Sequence, residues 1–126
     1  HSAGAAFDEA VELDPPPAES PTAAEAASTH VARLFTEAID RTSADAAGAE
    51  RPLFLWLHAQ ALAGPWDAPR EYRDRYADED DPPPPDFTAV PHETLPPDVD
   101  LDRRFGIAQA YAGQVTHIDA CLGGFL

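Results

Sequence analysis

The chain has 126 residues, enough for one domain or part of one. Acidic residues outnumber basic ones 23 to 8 and the formal net charge is −15; binding to DNA or RNA by phosphate neutralisation needs the opposite sign, so no nucleic acid is expected as a partner. A single cysteine, Cys121, excludes an internal disulfide framework and a cysteine-rich zinc site, and the absence of Lys excludes P-loop and Schiff-base chemistry.

No apolar stretch approaches the roughly 20 residues of a membrane span, so no membrane partner is expected either. The chain begins at His1 and contains no Met, which marks it as a piece of a longer product, with any export signal outside the piece. The acidity itself reads as solubility.

From the N-terminus, Phe7, Val11 and Leu13 alternate with acids in a segment too short for periodicity to separate strand from helix. Asp14-Pro15-Pro16-Pro17 is an extended linker, because each Pro removes a donor and turns its predecessor away from the helical region. Ser20-Pro21 has the form of a helix start, a hydroxyl at the cap and Pro at the first position. Behind it Val31, Leu34, Phe35, Ala38 and Ile39 share one face, which predicts a helix from about Pro21 to Arg41. Thr42 to Glu50 is a polar connection.

Leu53 to Leu57 is unbroken apolar sequence after Pro52, predicted as a buried parallel strand. It leads through His58 and Gln60 into the turn Gly64-Pro65-Trp66-Asp67-Ala68-Pro69. Asp67 is placed to cap a short helix starting near Ala68 or Pro69, carrying Tyr72 and Tyr76 at i and i+4 and ending around Ala77. Asp78 to Asp100 holds seven prolines among acids and predicts a long loop, either a rim over the domain or an extended ligand for a partner; as a rim it should tolerate Pro84→Ala with little loss of stability. From Leu101, the residues Phe105, Ala108, Ala112, Val115, Ile118 and Leu122 repeat at three and four. They predict a second long helix with Asp100 or Asp102 as cap, Gly123-Gly124 as stop, and this apolar face packed on a sheet. No coiled-coil heptad run is evident.

The order of PLFLWLH, GPWDAPREYRDRYADEDDPPPP and AYAGQVTHIDACLGGFL, from Arg51 to Leu126, resembles the middle of a sulfatase-family catalytic domain, of the alkaline-phosphatase-like superfamily. The resemblance implies an α/β fold, here a partial α/β/α sandwich with one buried parallel strand, a possible second, and two long covering helices. It also makes residues 1–126 a fragment of one catalytic domain that needs the rest of that domain as its partner. The parent would be a sulfuric ester hydrolase in which a formylglycine hydrate attacks the sulfate ester of a small molecule or polysaccharide. A divalent metal, by resemblance Ca²⁺, would hold the sulfate.

Neither nucleophile nor metal ligands are matched here: Cys121 is followed by Leu-Gly-Gly-Phe and not by the family's C-x-P-x-R, and reads as a small buried residue. The family's substrate-contacting histidine falls at Ala63, whose methyl group can neither donate to a sulfate oxygen nor pass a proton. His58 is the remaining substrate-binding candidate, against the plainer reading of a core histidine. Three further readings stay bland. His92-Glu93 is a solvated pair without a second histidine at helical spacing, Asp78 to Asp81 is a solvated acidic run lacking the spacing of a calcium loop, and Asp119 matches a position taken as structural. The alternatives are a sulfatase-like protein that has lost catalysis, motivated by Ala63, and an acidic proline-rich interaction module.

Overall fold

The computed structural model describes residues 11–13, 21–46 and 52–126. The segment at residues 1–10, the proline linker, the Ser20 cap and residues 47–50 of the connection lie outside the described residues. The described chain runs as a 3₁₀ segment Ala23–Ser28, helix α1 His30–Ala46, helix α2 Arg70–Asp74 and helix α3 Leu101–Phe125. Among the described residues there is no sheet, which corrects the α/β/α sandwich predicted from the sequence. Two long helices are present, but they pack on each other and on loops.

The physical reason is visible at Pro52–Gln60. The segment has no regular secondary structure, and no neighbouring strand among the described residues pairs with it. Without a sheet there is no layer to bury both of its faces. Phe54 is 73% exposed and Trp56 68%, with Leu55 and Leu57 half-buried, so the predicted buried strand is an irregular, largely exposed segment.

The predicted first helix is two elements. Pro21 is buried outside the helix, and its carbonyl accepts a bond from Arg70 N at 3.0 Å. Thr22 starts the 3₁₀ segment by donating its N–H and hydroxyl to the Glu25 carboxylate at 3.1 and 2.9 Å, a local alternative to a Ser-Pro cap. Thr29 is extended, breaks the run, and becomes the cap of α1: its hydroxyl accepts from Ala32 N at 3.1 Å. Val31 and Ala38 are the buried points of α1, and Phe35 reaches Phe125 of α3 with ring centroids 5.7 Å apart.

Helix α2 is one turn, Arg70–Asp74, shorter than the sequence predicts. Its tyrosines both reach α3, as their spacing requires: Tyr72 meets the His117 ring edge-on at 5.3 Å and Tyr76 OH lies 2.5 Å from Thr116 Oγ1. Helix α3 is capped by Asp100, whose side chain accepts from Asp102 N at 3.0 Å. It runs through Gly123 and Gly124, which therefore do not stop it.

Helix α3 also buries the opposite face from the one predicted. Gly106, Gln109, Ala110, Gly113, Gln114 and His117 point inward. Of the predicted apolar face, Ala108, Val115 and Leu122 are exposed and Phe105, Ala112 and Ile118 only half-buried, because the sheet it would have covered is not there. Small residues on the inner face let neighbouring backbone approach: a Cβ on Gly106 would come within 3.3 Å of Pro85 Cδ.

Candidate functional site

His58 and Ala63, the two sequence candidates, both lie on the exposed stretch between the irregular segment and the Gly-Pro turn. Ala61–Ala63 forms the turn, closed by a bond from Gly64 N to Gln60 O. Gly64 is required there, since a Cβ would sit 2.9 Å from that same oxygen. His58 makes no hydrogen bond to the described residues, and its exposure departs from the reading of a core histidine.

Below the turn the chain is held from three sides. Trp66 is buried, its indole N–H donates to Leu62 O at 3.1 Å, and its backbone N–H donates to Thr88 O at 2.8 Å. Asp67 is fully buried and does not cap α2 as predicted. Its Oδ2 accepts from His30 N at 2.5 Å, so it caps α1 from 37 residues away. A carboxylate at that helix N-terminus satisfies a free donor and meets the positive end of the dipole. Ala68 N donates to Gln114 Oε1 at 2.8 Å, which ties the same turn to α3.

Arg73 is the pin of the assembly. Its guanidinium is wholly buried and donates to three backbone carbonyls: Nη2 to Trp66 O at 2.5 Å, and Nη1 to Pro85 O at 2.5 Å and Phe87 O at 2.9 Å. One planar fork thus joins the Gly-Pro-Trp turn to the proline-rich loop, a geometry Lys cannot supply. Burial lowers the Arg73 pKa and the Asp86 carboxylate opposes that shift.

His117 closes the network on the α3 side. Its Nε2 lies 2.8 Å from Thr29 Oγ1. The Thr29 hydroxyl proton is directed to Ala26 O at 2.9 Å, so hydrogen-bond accounting makes Thr29 Oγ1 the acceptor and His117 Nε2–H the donor. The Cys121 sulfur lies 3.9 Å from Nδ1 and 3.8 Å from Nε2, too evenly placed to be a directed hydrogen bond to either nitrogen. Burial lowers the His117 pKa despite Asp67, and burial raises that of Cys121, with Asp67 adding to it. A thiol pushed towards its neutral form is a poor nucleophile, so the Cys121–His117 proximity is packing and not a catalytic dyad. Cys121 is half-buried, less enclosed than the small buried residue expected.

No group of three His, Cys, Asp or Glu side chains among the described residues converges as a metal ion would need. The acidic run Asp78 to Asp81 is not arranged as a calcium site. Asp78 and Asp81 bond to each other instead, Asp78 N donating to Asp81 Oδ2 at 2.7 Å. Glu93 of the His92-Glu93 pair forms an ion pair with Arg103 of α3. Asp119 is exposed on α3. No helix of the described residues is long and apolar enough to cross a membrane.

The roles of Asp67, Arg73, Gln114 and His117 escape sequence reading because the groups they bond, His30 N, the carbonyls of Trp66, Pro85 and Phe87, Ala68 N and the Thr29 hydroxyl, lie outside their own turn of helix. The one available signal lies in α3, where Gln109, Gln114 and His117 alternate with Gly106 and Gly113 on a face opposite the apolar one. Comparison of the chain with models of protein families, with curated proteins and with solved structures gave no match.

Proposed function

We propose that this chain belongs to a sulfatase-like ester hydrolase and supplies the rim of its substrate pocket through residues 58–64. The observation that carries the reading is the contrast across the Gly-Pro turn. Trp66, Asp67, Ala68 and Pro69 are buried and bonded to α1, α3 and the proline-rich loop, while His58 and Ala63 stay exposed just above them. A loop anchored in this way can present side chains to a ligand at low entropic cost. The order of the PLFLWLH, GPWDAP and AYAGQVTHIDACLGGFL motifs supports the same reading, and it requires no sheet within the described residues.

Within that enzyme the present residues orient substrate; the attacking group and any metal come from elsewhere. Ala63 favours a second reading, a sulfatase-like protein with impaired catalysis. The interaction-module reading is weakened because Arg73 holds the carbonyls of Pro85 and Phe87, so this part of the loop is bound into the fold and is not free to act as an extended ligand.

The test uses the full gene product and an aryl sulfate. Ala63→His should raise kcat/KM by one to two decades, about 1.4 to 2.7 kcal/mol of transition-state stabilisation and in the range of one charge-assisted contact. His58→Ala should lower it if His58 has taken over the contact. An active parent indifferent to both substitutions would remove the rim from this loop, and a parent with no sulfatase activity in either form would leave only the impaired reading.

A further inference from the structure

The outer face of α3 carries a largely exposed apolar stripe: Tyr111 at its centre meets Trp66 edge-on with ring centroids 5.6 Å apart, and Asp81 and Pro82 line a depression beside Leu101 and Ala108. Leu101 is 72% exposed, Tyr111 45%, Val115 41% and Leu122 41%. With the exposed Ala108 these residues recur at spacings of three, four and seven along a helix of 25 residues, about 38 Å long at 1.5 Å per residue. An apolar row at that spacing fits another α-helix, whose ridges repeat at the same intervals. Two charges flank the stripe, Arg104 near its start and Asp119 near its end, both exposed.

Their positions single out the occupant. Around an axis crossing α3 between Tyr111 and Ala112, Arg104 and Asp119 are equidistant, each about 11 Å away along the helix. The same axis relates Leu101 to Leu122, Phe105 to Ile118 and Ala108 to Val115. An antiparallel copy of α3 placed on this axis therefore sets apolar against apolar along the stripe and Arg104 against Asp119 twice. A face self-complementary in both shape class and charge is what a two-fold dimer requires. Ala108 and Ala112, near the axis, allow the two helices to approach closely.

We propose that this chain forms a two-fold dimer through antiparallel pairing of α3 with α3 of a second copy, specified by Arg104 to Asp119 contacts at both ends. The inference uses no part of the sulfatase-like reading; on that reading the rest of the parent domain is the competing occupant of this face.

Sedimentation equilibrium of the 126-residue chain, with far-UV circular dichroism as a check on helix content, tests it. The expected result is a dimer in the micromolar range. Arg104→Asp or Asp119→Arg alone should weaken it at least tenfold, since each places like charges together twice, and the double reversal should restore it. Helix content should be unchanged because both side chains are exposed. Leu122→Asp should give monomer. A chain that stays monomeric at 200 µM (on the order of ten times a typical weak dimer's constant), or a dimer indifferent to both single reversals, overturns the proposal. The stripe would then belong to another segment of a longer product or to a different partner.

Discussion

Helix α3 passes α2 so closely at Gly113 that a Cβ added there would lie 2.8 Å from Arg73 Cγ and 3.1 Å from the Arg73 backbone N and Cα. The backbone atoms cannot swing aside, and Arg73 itself is fixed by its three carbonyl partners. Gly113→Ala should therefore destabilise the fold even though Ala gains about 1 kcal/mol of helix propensity over Gly; overpacking of a closed contact costs typically about 1 to 3 kcal/mol. Gly123, on the same helix with nothing within 4 Å of its added Cβ, is the control. Thermal melts followed at 222 nm (the usual helix band) should show a lowered midpoint for Gly113→Ala and an unchanged or raised one for Gly123→Ala.

Removing the Arg73 guanidinium leaves three carbonyls without their donor. Each buried unsatisfied group costs roughly 1 to 3 kcal/mol, so Arg73→Ala should cost at least about 3 kcal/mol in total. Arg73→Lys should recover only part, because one ammonium cannot reach carbonyls of the turn and of the loop in the same planar arrangement. The loop should suffer first. Hydrogen exchange by mass spectrometry should show faster exchange in residues 82–91 in both variants, with Lys intermediate; equal exchange in wild type and Arg73→Ala would show that the fork does not hold the loop.

Pro84 was expected to tolerate truncation as part of a surface rim, but it is buried. Pro84→Ala removes packed ring atoms and also widens the freedom of the unfolded chain, and both effects act in the same direction. A loss on the order of 1 kcal/mol is expected, read as a shift in urea midpoint without a change in slope. The neighbouring Pro83, which is exposed, should show only the smaller unfolded-state effect.

What could be read from the sequence follows from how local each cause is. The long helix α3 with its Asp100 cap and the irregular loop 78–100 rest on signals within a few residues and are present, whereas the predicted first helix is split at Thr29 and the short helix ends at Asp74, before Tyr76. The sheet was inferred from a single apolar run, Leu53 to Leu57, whose burial depends on strands elsewhere. Periodicity located the apolar stripe of α3 correctly and then misassigned its direction, because close backbone approach at Gly113 and polar bonding by Gln114 and His117 turned the other face inward. At the candidate site His58 comes from its place at the end of the apolar run and Ala63 from the family resemblance alone, and both remain proposals. The Asp67 and Arg73 anchors could not be named from the sequence, since their partners are His30, Trp66, Pro85 and Phe87.

The last prediction concerns pH, through His117. Its imidazole is buried and donates from Nε2 to Thr29, the cap residue of α1, so this contact joins α1 to α3. Burial lowers its pKa in the folded state, with the Asp67 carboxylate opposing, whereas an unfolded histidine titrates near about 6.5. Between those two values the unfolded chain binds the extra proton and the folded chain does not. The stability that His117 contributes is therefore complete above about pH 6.5 and is lost as the pH falls through the folded value. Glu25 and Glu71, held below the usual carboxylate range mainly by backbone donors at Thr22 and Ala23, act in the same direction but only below about pH 4.5. Urea midpoints measured from pH 7.5 to 5 should fall with acidification in the wild type. In His117→Gln, which keeps a side-chain N–H donor towards Thr29 and cannot titrate, the midpoint should be nearly flat over that range. An equal slope in both proteins would assign the acid sensitivity to another group and show that His117 is not held neutral by its burial.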